Sequence, residues 1–442
     1  MTSLRKQAPF SQIALTVSVA RTKLHSGASL NTVIQPSLQR LPQESRPVAQ
    51  ALIYESVRCH AQNSALIKQL CTRIPNQDVI SLLETGLTAL NTSKVSSFTI
   101  VSETVNAAKL QNTTRNASGL INAVLRRYLR EKDTLLANVA KNEEVRYNLP
   151  RWWIDYIRHC YPQQAEQILS LGIQHPPLTL RVNVQQTDLT TYTSLLREKN
   201  ISFRQVGLEA IELLDPMPVE QIPGFIDGLC SVQDAGTQLA AHLLPVKKGD
   251  RVLDACAAPG GKTAHLLEKY QCNMTALEID PVRTAKIQEN LDRLQLQAKV
   301  ITANANELST WWDGQLFDAI LLDAPCTASG VVRRQPDTPW LRRRQDIKNL
   351  AAEQFKLLTN LWPLLKPNGK LLYATCSIFP EEGTQQIQKF LSKNDDAILV
   401  PLFAGNTGML TLLPEEKPTY TMPDLLPAVH DGFFYALLEK KA

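Results

Sequence analysis

No run of about 18 apolar residues occurs in the 442-residue sequence, so no membrane-spanning helix is expected. Arg5 and Lys6 imitate the charged start of a leader, but Gln7, Ser11, Gln12, Thr16 and Ser18 break the stretch behind them. No signal peptide is read, and a cytoplasmic location is expected. The eight cysteines form no Cys-x-x-Cys pair and the seven histidines are scattered, which leaves a zinc site without support. No metal is expected. Gly-x-Gly-x-x-Gly is missing, which argues against a nicotinamide site. There is no internal repeat and no low-complexity segment.

Charge is present but uneven. The net charge is +5, yet residues 1–140 carry +9 and the remainder −4. A basic amino-terminal region is expected where a chain touches a polyanion, although a solvated helical surface has the same composition. Residues 1–140 read as helices: Ala117, Leu120, Ile121, Val124, Leu125 and Tyr128 recur at helical spacing beside Arg126, Arg127 and Arg130. A weaker pattern runs over 52–70. The pattern fades between 132 and 150 and Pro150 closes it. Residues 145–235 read as a small α+β module, with helices over 152–160 and 163–171 and a strand over 178–184.

From 236 to 442 strands alternate with helices, the pattern of a largely parallel, doubly wound sheet. The expected strands are 251–255, 274–279, 298–302, 317–322, 369–374, 398–401 and 433–438. Helices are expected over 263–270, 282–294 and 347–365.

The first of these strands runs into Asp254-Ala-Cys-Ala-Ala-Pro-Gly-Gly-Lys-Thr263, a turn where glycines admit close backbone approach and a helix amino terminus follows. A phosphate-cradling loop matches at Gly261, Lys262 and Thr263. It has Cys256 where the first glycine is needed, and Pro259 removes an amide donor. The competing reading is an S-adenosylmethionine pocket, with Glu278 at the end of the second strand accepting ribose hydroxyls. Asn304, after the third strand, either faces an adenine or caps a turn. Asp280, before Pro281, reads as a helix cap.

Two cysteines follow apolar strands: Cys326 in Asp-Ala-Pro-Cys-Thr and Cys376 in Ala-Thr-Cys-Ser. Strand ends are where open α/β sheets place their ligands. One nucleophile and one helper suit chemistry on an electron-poor ring carbon, such as C6 of a pyrimidine. Asp323, three residues before Cys326, is placed to hydrogen-bond the N3–N4 edge of cytosine. Cys59, Cys71, Cys160, Cys230 and Cys272 read as structural thiols, and Cys256 as a residue that fills a tight turn. Arg333, Arg334, Arg342, Arg343, Arg344 and Lys348 form a basic run, either a solvated helix face or a phosphate-positioning surface. Trp340 either stacks on a base or packs.

The 254–263 turn, Asp323-Ala-Pro-Cys-Thr-Ala-Ser-Gly330 with Val-Val-Arg-Arg-Gln-Pro-Asp337, and Tyr373-Ala-Thr-Cys-Ser-Ile-Phe-Pro-Glu-Glu382 together resemble the RNA cytosine-C5 methyltransferases. So does Asp431-Gly-Phe-Phe-Tyr-Ala436. Gly119-Leu-Ile-Asn-Ala-Val-Leu-Arg-Arg127 resembles the NusB-like RNA-binding domain fused to one branch, the branch that acts on 16S ribosomal RNA. Arg181-Val-Asn183 and Ser231-Val-Gln-Asp-Ala235 resemble its connecting module. The resemblance implies an all-α NusB-like domain (1–140), an α+β RNA-binding module (145–235) and a Rossmann-like methyltransferase domain (236–442). It implies S-adenosyl-L-methionine as cofactor and 16S ribosomal RNA as substrate, with another RNA such as tRNA as the alternative, and a monomer without membrane or metal.

By the same resemblance Cys376 is the nucleophile and Cys326 assists product release. Cys256, Ala257, Ala258, Pro259, Gly260, Gly261, Lys262, Glu278, Asn304 and Asp323 line the cofactor pocket. The family usually has Asp where Glu278 and Asn304 stand, and 96–107 departs from its His-Ala-Ala-Val pattern. A phosphate-loop nucleotide hydrolase and a non-catalytic RNA-binding factor stand as the rival readings.

Overall fold

The structure, a computed structural model, describes residues 7–417 and 425–442; Arg5 and Lys6 lie outside them. The chain divides into two compact units, 1–174 with 332–343, and 175–331 with 344–442.

The first unit is helical in every regular element described. Its central helix, Gln77–Thr92, is buried at eleven of its positions, Val79 through Leu90 almost without a break. Such a helix must be packed on all sides, and Phe10–His25, Ser97–Leu110 and Ser118–Val139 contribute to the same core. The stripe on the last of these buries Ile121, Val124, Leu125 and Tyr128; Leu120 is instead exposed. The 52–70 pattern belongs to two helices, Arg46–Arg58 and His60–Leu70, which meet at a kink at Cys59. Helices Arg151–Cys160 and Ala165–Gly172 close the contiguous part of this unit.

The second unit begins with four short antiparallel strands, β1 (Leu178–Val182), β2 (Phe203–Gln205), β3 (Ala210–Leu213) and β4 (Cys230–Val232), in the order β2-β3-β1-β4. Helix Leu189–Glu198 adds Tyr192 and Leu196 to their apolar side.

The larger sheet of this unit is doubly wound. Its parallel part is β5 (Arg251–Ala255), β6 (Asn273–Glu278), β7 (Lys299–Thr302), β8 (Phe317–Asp323) and β9 (Leu365–Thr375). Short strands β10 (Ala397–Leu399) and β11 (Met409–Leu412), a two-residue ladder of β12 (Glu415–Glu416) with β13 (Val429–His430), and β14 (Phe433–Lys440) complete the chain. The order is β10-β14-β9-β8-β5-β6-β7, with β11 also on β14, and every pair that involves β14 is antiparallel.

Alternation along the strands splits the core in two, because successive side chains point to opposite faces. Val252, Ala276, Leu321 and Leu372 meet the helices Ala235–Leu243, Gly261–Lys269 and Pro281–Leu294. Leu253, Leu277, Ile320 and Tyr373 meet Arg344–Leu361 and Thr384–Leu391. The helix expected to reach Leu365 ends at Leu361, and Leu365 already belongs to β9. No helix among the described residues is long and apolar enough to cross a membrane.

Candidate active site

Two strand ends build the site. β8 and β9 pair in parallel up to Asp323 and Ala374, and Ala324 N–H extends the ladder to Ala374 O at 2.9 Å. The cysteine loops leave side by side, and the Sγ atoms of Cys326 and Cys376 lie 3.3 Å apart. Cys326 is buried and Cys376 half-buried. The hydrogen bond with Cys376, then burial, push the Cys326 thiol well above its ordinary pKa.

The loops are locked by backbone contacts. Gly330 N–H donates to Cys376 O at 3.0 Å and Gly432 N–H to Gly330 O at 2.8 Å. A Cβ on Gly330 would lie 2.2 Å from the Gly432 carbonyl oxygen, so only glycine fits this crossing.

The glycine turn sits at the neighbouring end of β5. Cys256 and Gly260 have positive φ, +63° and +95°, and Gly260 caps the helix Gly261–Lys269. Burial, then Asp323 and Glu278, raise the Cys256 thiol pKa, so Cys256 stays protonated and fills the turn. Ala257 and Ala258 are buried and Pro259 is exposed. Lys262 Nζ donates to Asp323 Oδ2 at 2.6 Å. Burial opposes the charge on Lys262, but Asp323, Cys376 and Asp254 outweigh it and the pKa is raised. A cation therefore persists within electrostatic reach of Cys376.

Glu278, 2% exposed, accepts from Ala258 N–H at 3.2 Å and from Ile279 and Asp280 N–H at 3.1 and 3.2 Å. It thereby ties the turn to the end of β6, and it retains acceptor capacity, since a carboxylate offers about four lone-pair sites. Asn304 accepts from Asn306 N–H and donates to Glu307, each at 3.0 Å, so its side chain caps its own turn. Asp280 caps the next helix through Val282 and Arg283 N–H.

The basic run divides. Arg333 is buried, with its carbonyl accepting from Arg58 Nη1 at 2.8 Å, while Arg343, Arg344 and Lys348 are exposed. Trp340 packs edge-on against His60, with ring centroids 4.6 Å apart. The scattered histidines are gathered by the fold: His25 and His60 meet Glu84, and His242 and His265 meet Glu209. Each of these carboxylates is already paired with a cation, Arg21 and Lys269 respectively.

Three residues that carry the site had no role assigned from sequence. Asp254, fully buried on β5, accepts from Thr263 Oγ1 while its Oδ1 has no hydrogen-bond partner, and burial raises its pKa to about 7. Arg181 on β1 reaches the turn through Gly261 O at 2.8 Å. Glu382 lies behind the cysteine loops. A charged residue between the apolar neighbours Leu180 and Val182 was the available signal for Arg181. Glu382 follows Pro380 and Glu381, where a helix-start acid is the ordinary reading.

The comparisons agree with this architecture. Residues 10–130 match the NusB family, residues 149–220 the ferredoxin-like domain of RsmF/B-like methyltransferases, and residues 241–439 the 16S rRNA methyltransferase RsmB/F model. The chain is 40% identical to ribosomal RNA small subunit methyltransferase B of Pseudomonas putida, over 95% of this chain and 96% of the relative. It is 39% identical to the protein of the same description from Pasteurella multocida, over 97% and 95%. Among solved structures, a methyltransferase homolog protein from Pyrococcus horikoshii is 28% identical with a TM-score of 0.55, over 67% of this chain and 97% of its own. The crystal structure of PH0851, 23% identical, shares the fold across 99% and 100% at a TM-score of 0.77. An all-α NusB-like domain, a small α+β module and a Rossmann-like catalytic domain are thus joined in one chain, which belongs to the RsmB/F family of 16S ribosomal RNA methyltransferases.

Proposed function

We propose that this methyltransferase modifies C5 of a specific cytosine in 16S ribosomal RNA through a transient bond between Cys376 and C6 of the base. The observation that carries the reading is the pair of sulfurs 3.3 Å apart at adjacent strand ends, beside the Lys262–Asp323 pair. Cys376, the more exposed of the two, is the nucleophile. Its thiolate adds to C6, and the electron pair of the C5–C6 bond moves toward C5, the atom that receives the methyl group. Loss of the C5 proton to a base then re-forms C5=C6 as the S–C6 bond breaks. Cys326, held as a thiol, assists that release. Asp323 hydrogen-bonds the N3–N4 edge, and Lys262 supplies positive charge where the thiolate forms.

The residues fit S-adenosyl-L-methionine. The turn of small residues closes against Glu278 rather than against a phosphate-sized nest of amides, and Asp254 keeps an unpaired buried acceptor under it. Cys256, Ala257, Ala258, Pro259, Gly260, Gly261, Lys262, Glu278, Asn304 and Asp323 would hold the cofactor, which supplies an electrophilic methyl group when bound. The target cytosine must leave its stack to reach the thiols. In this reading residues 1–140 and 145–235 contact RNA, residues 236–442 carry the chemistry, and the enzyme acts as a cytoplasmic monomer.

Bisulfite sequencing of ribosomal RNA from a strain lacking the protein tests the product: one cytosine in 16S RNA should lose its methyl group. A change confined to tRNA would move the substrate there. Cys326→Ala should leave protein covalently attached to RNA on a denaturing gel, and Cys376→Ala should not; the opposite pattern exchanges the two roles.

A further inference from the structure

Glu382, fully buried in the short turn Pro380–Glu382, has a role that the chemistry above leaves open. Its Oε1 accepts from Thr327 N–H at 2.9 Å and from Gln354 Nε2 at 3.0 Å. Its Oε2 accepts from Thr327 Oγ1 at 2.5 Å and from Ser377 Oγ at 2.6 Å. Thr327 and Ser377 are the residues immediately after Cys326 and Cys376. Gln354 also donates to Pro325 O at 2.9 Å, on the other side of Cys326. Ser377 Oγ accepts from Phe379 N–H at 3.1 Å and lies 2.8 Å from Ser329 Oγ, which accepts from Ile378 N–H at 2.9 Å.

The hydrogens of this network can be counted. Ser377 spends its one hydrogen on Glu382 and Thr327 does the same. The Ser329 hydroxyl is left to donate to Ser377. All four donors converge on one side chain, and an ionised carboxylate, which is acceptor-only, satisfies them together; burial raises the Glu382 pKa, and the hydrogen bonds from Ser377, Thr327 and Gln354 pull against that rise. An amide at this point would have to donate to the Thr327 and Ser377 hydroxyls and turn their hydrogens elsewhere, and a shorter acid would hold the two loops less closely.

We propose that Glu382 is a positioning residue that sets the separation of the two sulfurs, by tying the residue after each cysteine to a single buried carboxylate. The inference rests on the dithiol reading of the site. Glu382 touches neither substrate nor cofactor in this account; it acts through the loops.

The test uses the full-length enzyme with Glu382→Gln, which keeps the volume, and Glu382→Asp, which keeps the charge. Diamide takes up one hydrogen from each thiol and joins Cys326 to Cys376, so the rate of that crosslink, followed by peptide mass spectrometry, reads the sulfur geometry without any methyl transfer. For Glu382→Gln we expect kcat to fall by about 100-fold, the loss that a misplacement near 1 Å can cause, and the crosslinking rate to fall with it. KM for RNA and the affinity for S-adenosylhomocysteine should stay within about twofold, as expected when only transition-state geometry is lost. Glu382→Asp should recover part of both rates. Crosslinking at the wild-type rate in Glu382→Gln, or equal losses in kcat, KM and cofactor affinity, overturns the proposal. If Glu382→Gln does not fold, Glu382→Asp decides it: wild-type values for both rates overturn it, and a parallel partial loss supports it. A Cys376→Ala enzyme that still methylates would sink the dithiol reading instead, and the crosslinking comparison would still judge the clamp.

Discussion

Replacing Arg181 by Met should cost far more than a surface ion pair would. Arg181 is 1% exposed and the Glu268 side chain 0%. The two meet fork to fork, with Nε to Oε2 at 2.8 Å and Nη2 to Oε1 at 2.6 Å. The remaining nitrogen, Nη1, donates to Gln233 Oε1 at 2.5 Å and to Gly261 O at 2.8 Å. One side chain from β1 therefore supports the first turn of the helix that follows the glycine turn. At about 4 Å between charge centres and an effective dielectric near 20, the attraction is about 4 kcal/mol. Losing the guanidinium also strands Glu268, whose pKa burial already raises against the pull of Arg181. Removing one partner of a buried pair typically costs about 3–5 kcal/mol, and we expect a value in that range for Arg181→Met. The double variant Arg181→Met/Glu268→Met should recover most of the loss, because it leaves no buried charge behind.

Unfolding of the second unit is best followed by hydrogen exchange of the β1 and 261–269 peptides, since a chain of two units need not unfold in one step. S-adenosylhomocysteine affinity, measured by titration calorimetry, should weaken with the single variant. A single variant within about 1 kcal/mol of wild type, or a double variant no better than the single, would refute the reasoning.

Further outcomes are expected elsewhere. Burial, then Arg181, depress His265 to about 3 although Glu209 opposes them. The unfolded imidazole titrates near about 6.5, so below that pH the unfolded state binds more protons and stability falls. Between pH 7 and 5 the second unit should lose up to about 2 kcal/mol from this group, and His265→Gln should flatten the profile seen in urea titrations at each pH. Gly330→Ala forces backbone against backbone at Gly432; about 3 kcal/mol of destabilisation is expected from overpacking, with slowed crosslinking of the thiols. In the first unit Glu84 is buried and accepts from Arg21 at 3.0 and 2.9 Å and meets His25 at 2.8 Å. Glu84→Gln should therefore destabilise the helical unit by about 3–5 kcal/mol, read from the helical circular dichroism on heating.

The site was legible in the sequence where chemistry and strand ends coincide. Cys326 and Cys376 each follow an apolar run, and the parallel pairing of β8 with β9 brings them together. The start of β9 was hidden by Pro367, Asn368 and Gly369, turn residues that here sit in a bulge: the register jumps from Leu365 to Lys370, and Asn368 has φ +62°. The strand β11 is four residues long and packs at the edge, too short to announce itself by alternation. The basic run around Arg333 read as one surface because linear spacing does not show that Arg333 and Trp340 are packed. Glu382 and Arg181 escaped for a shared reason. Each acts through hydrogen bonds to residues 52 to 87 positions away, or more locally to a loop whose path only the fold defines.

The helical unit is not a contiguous amino-terminal piece. After Val331 the chain gives residues 332–343 to that unit before rejoining the sheet. There Asp337 accepts from Leu30 N–H at 2.8 Å and Trp340 meets His60. A deletion of the first 140 residues would strip this insert of its surroundings and leave a half-hydrated acid and an uncovered indole eleven and fourteen residues from Cys326. Loss of activity in such a truncation would thus report damage to the 332–343 segment as readily as loss of RNA contacts, and point substitutions on the helical surface are the cleaner way to ask what that unit binds.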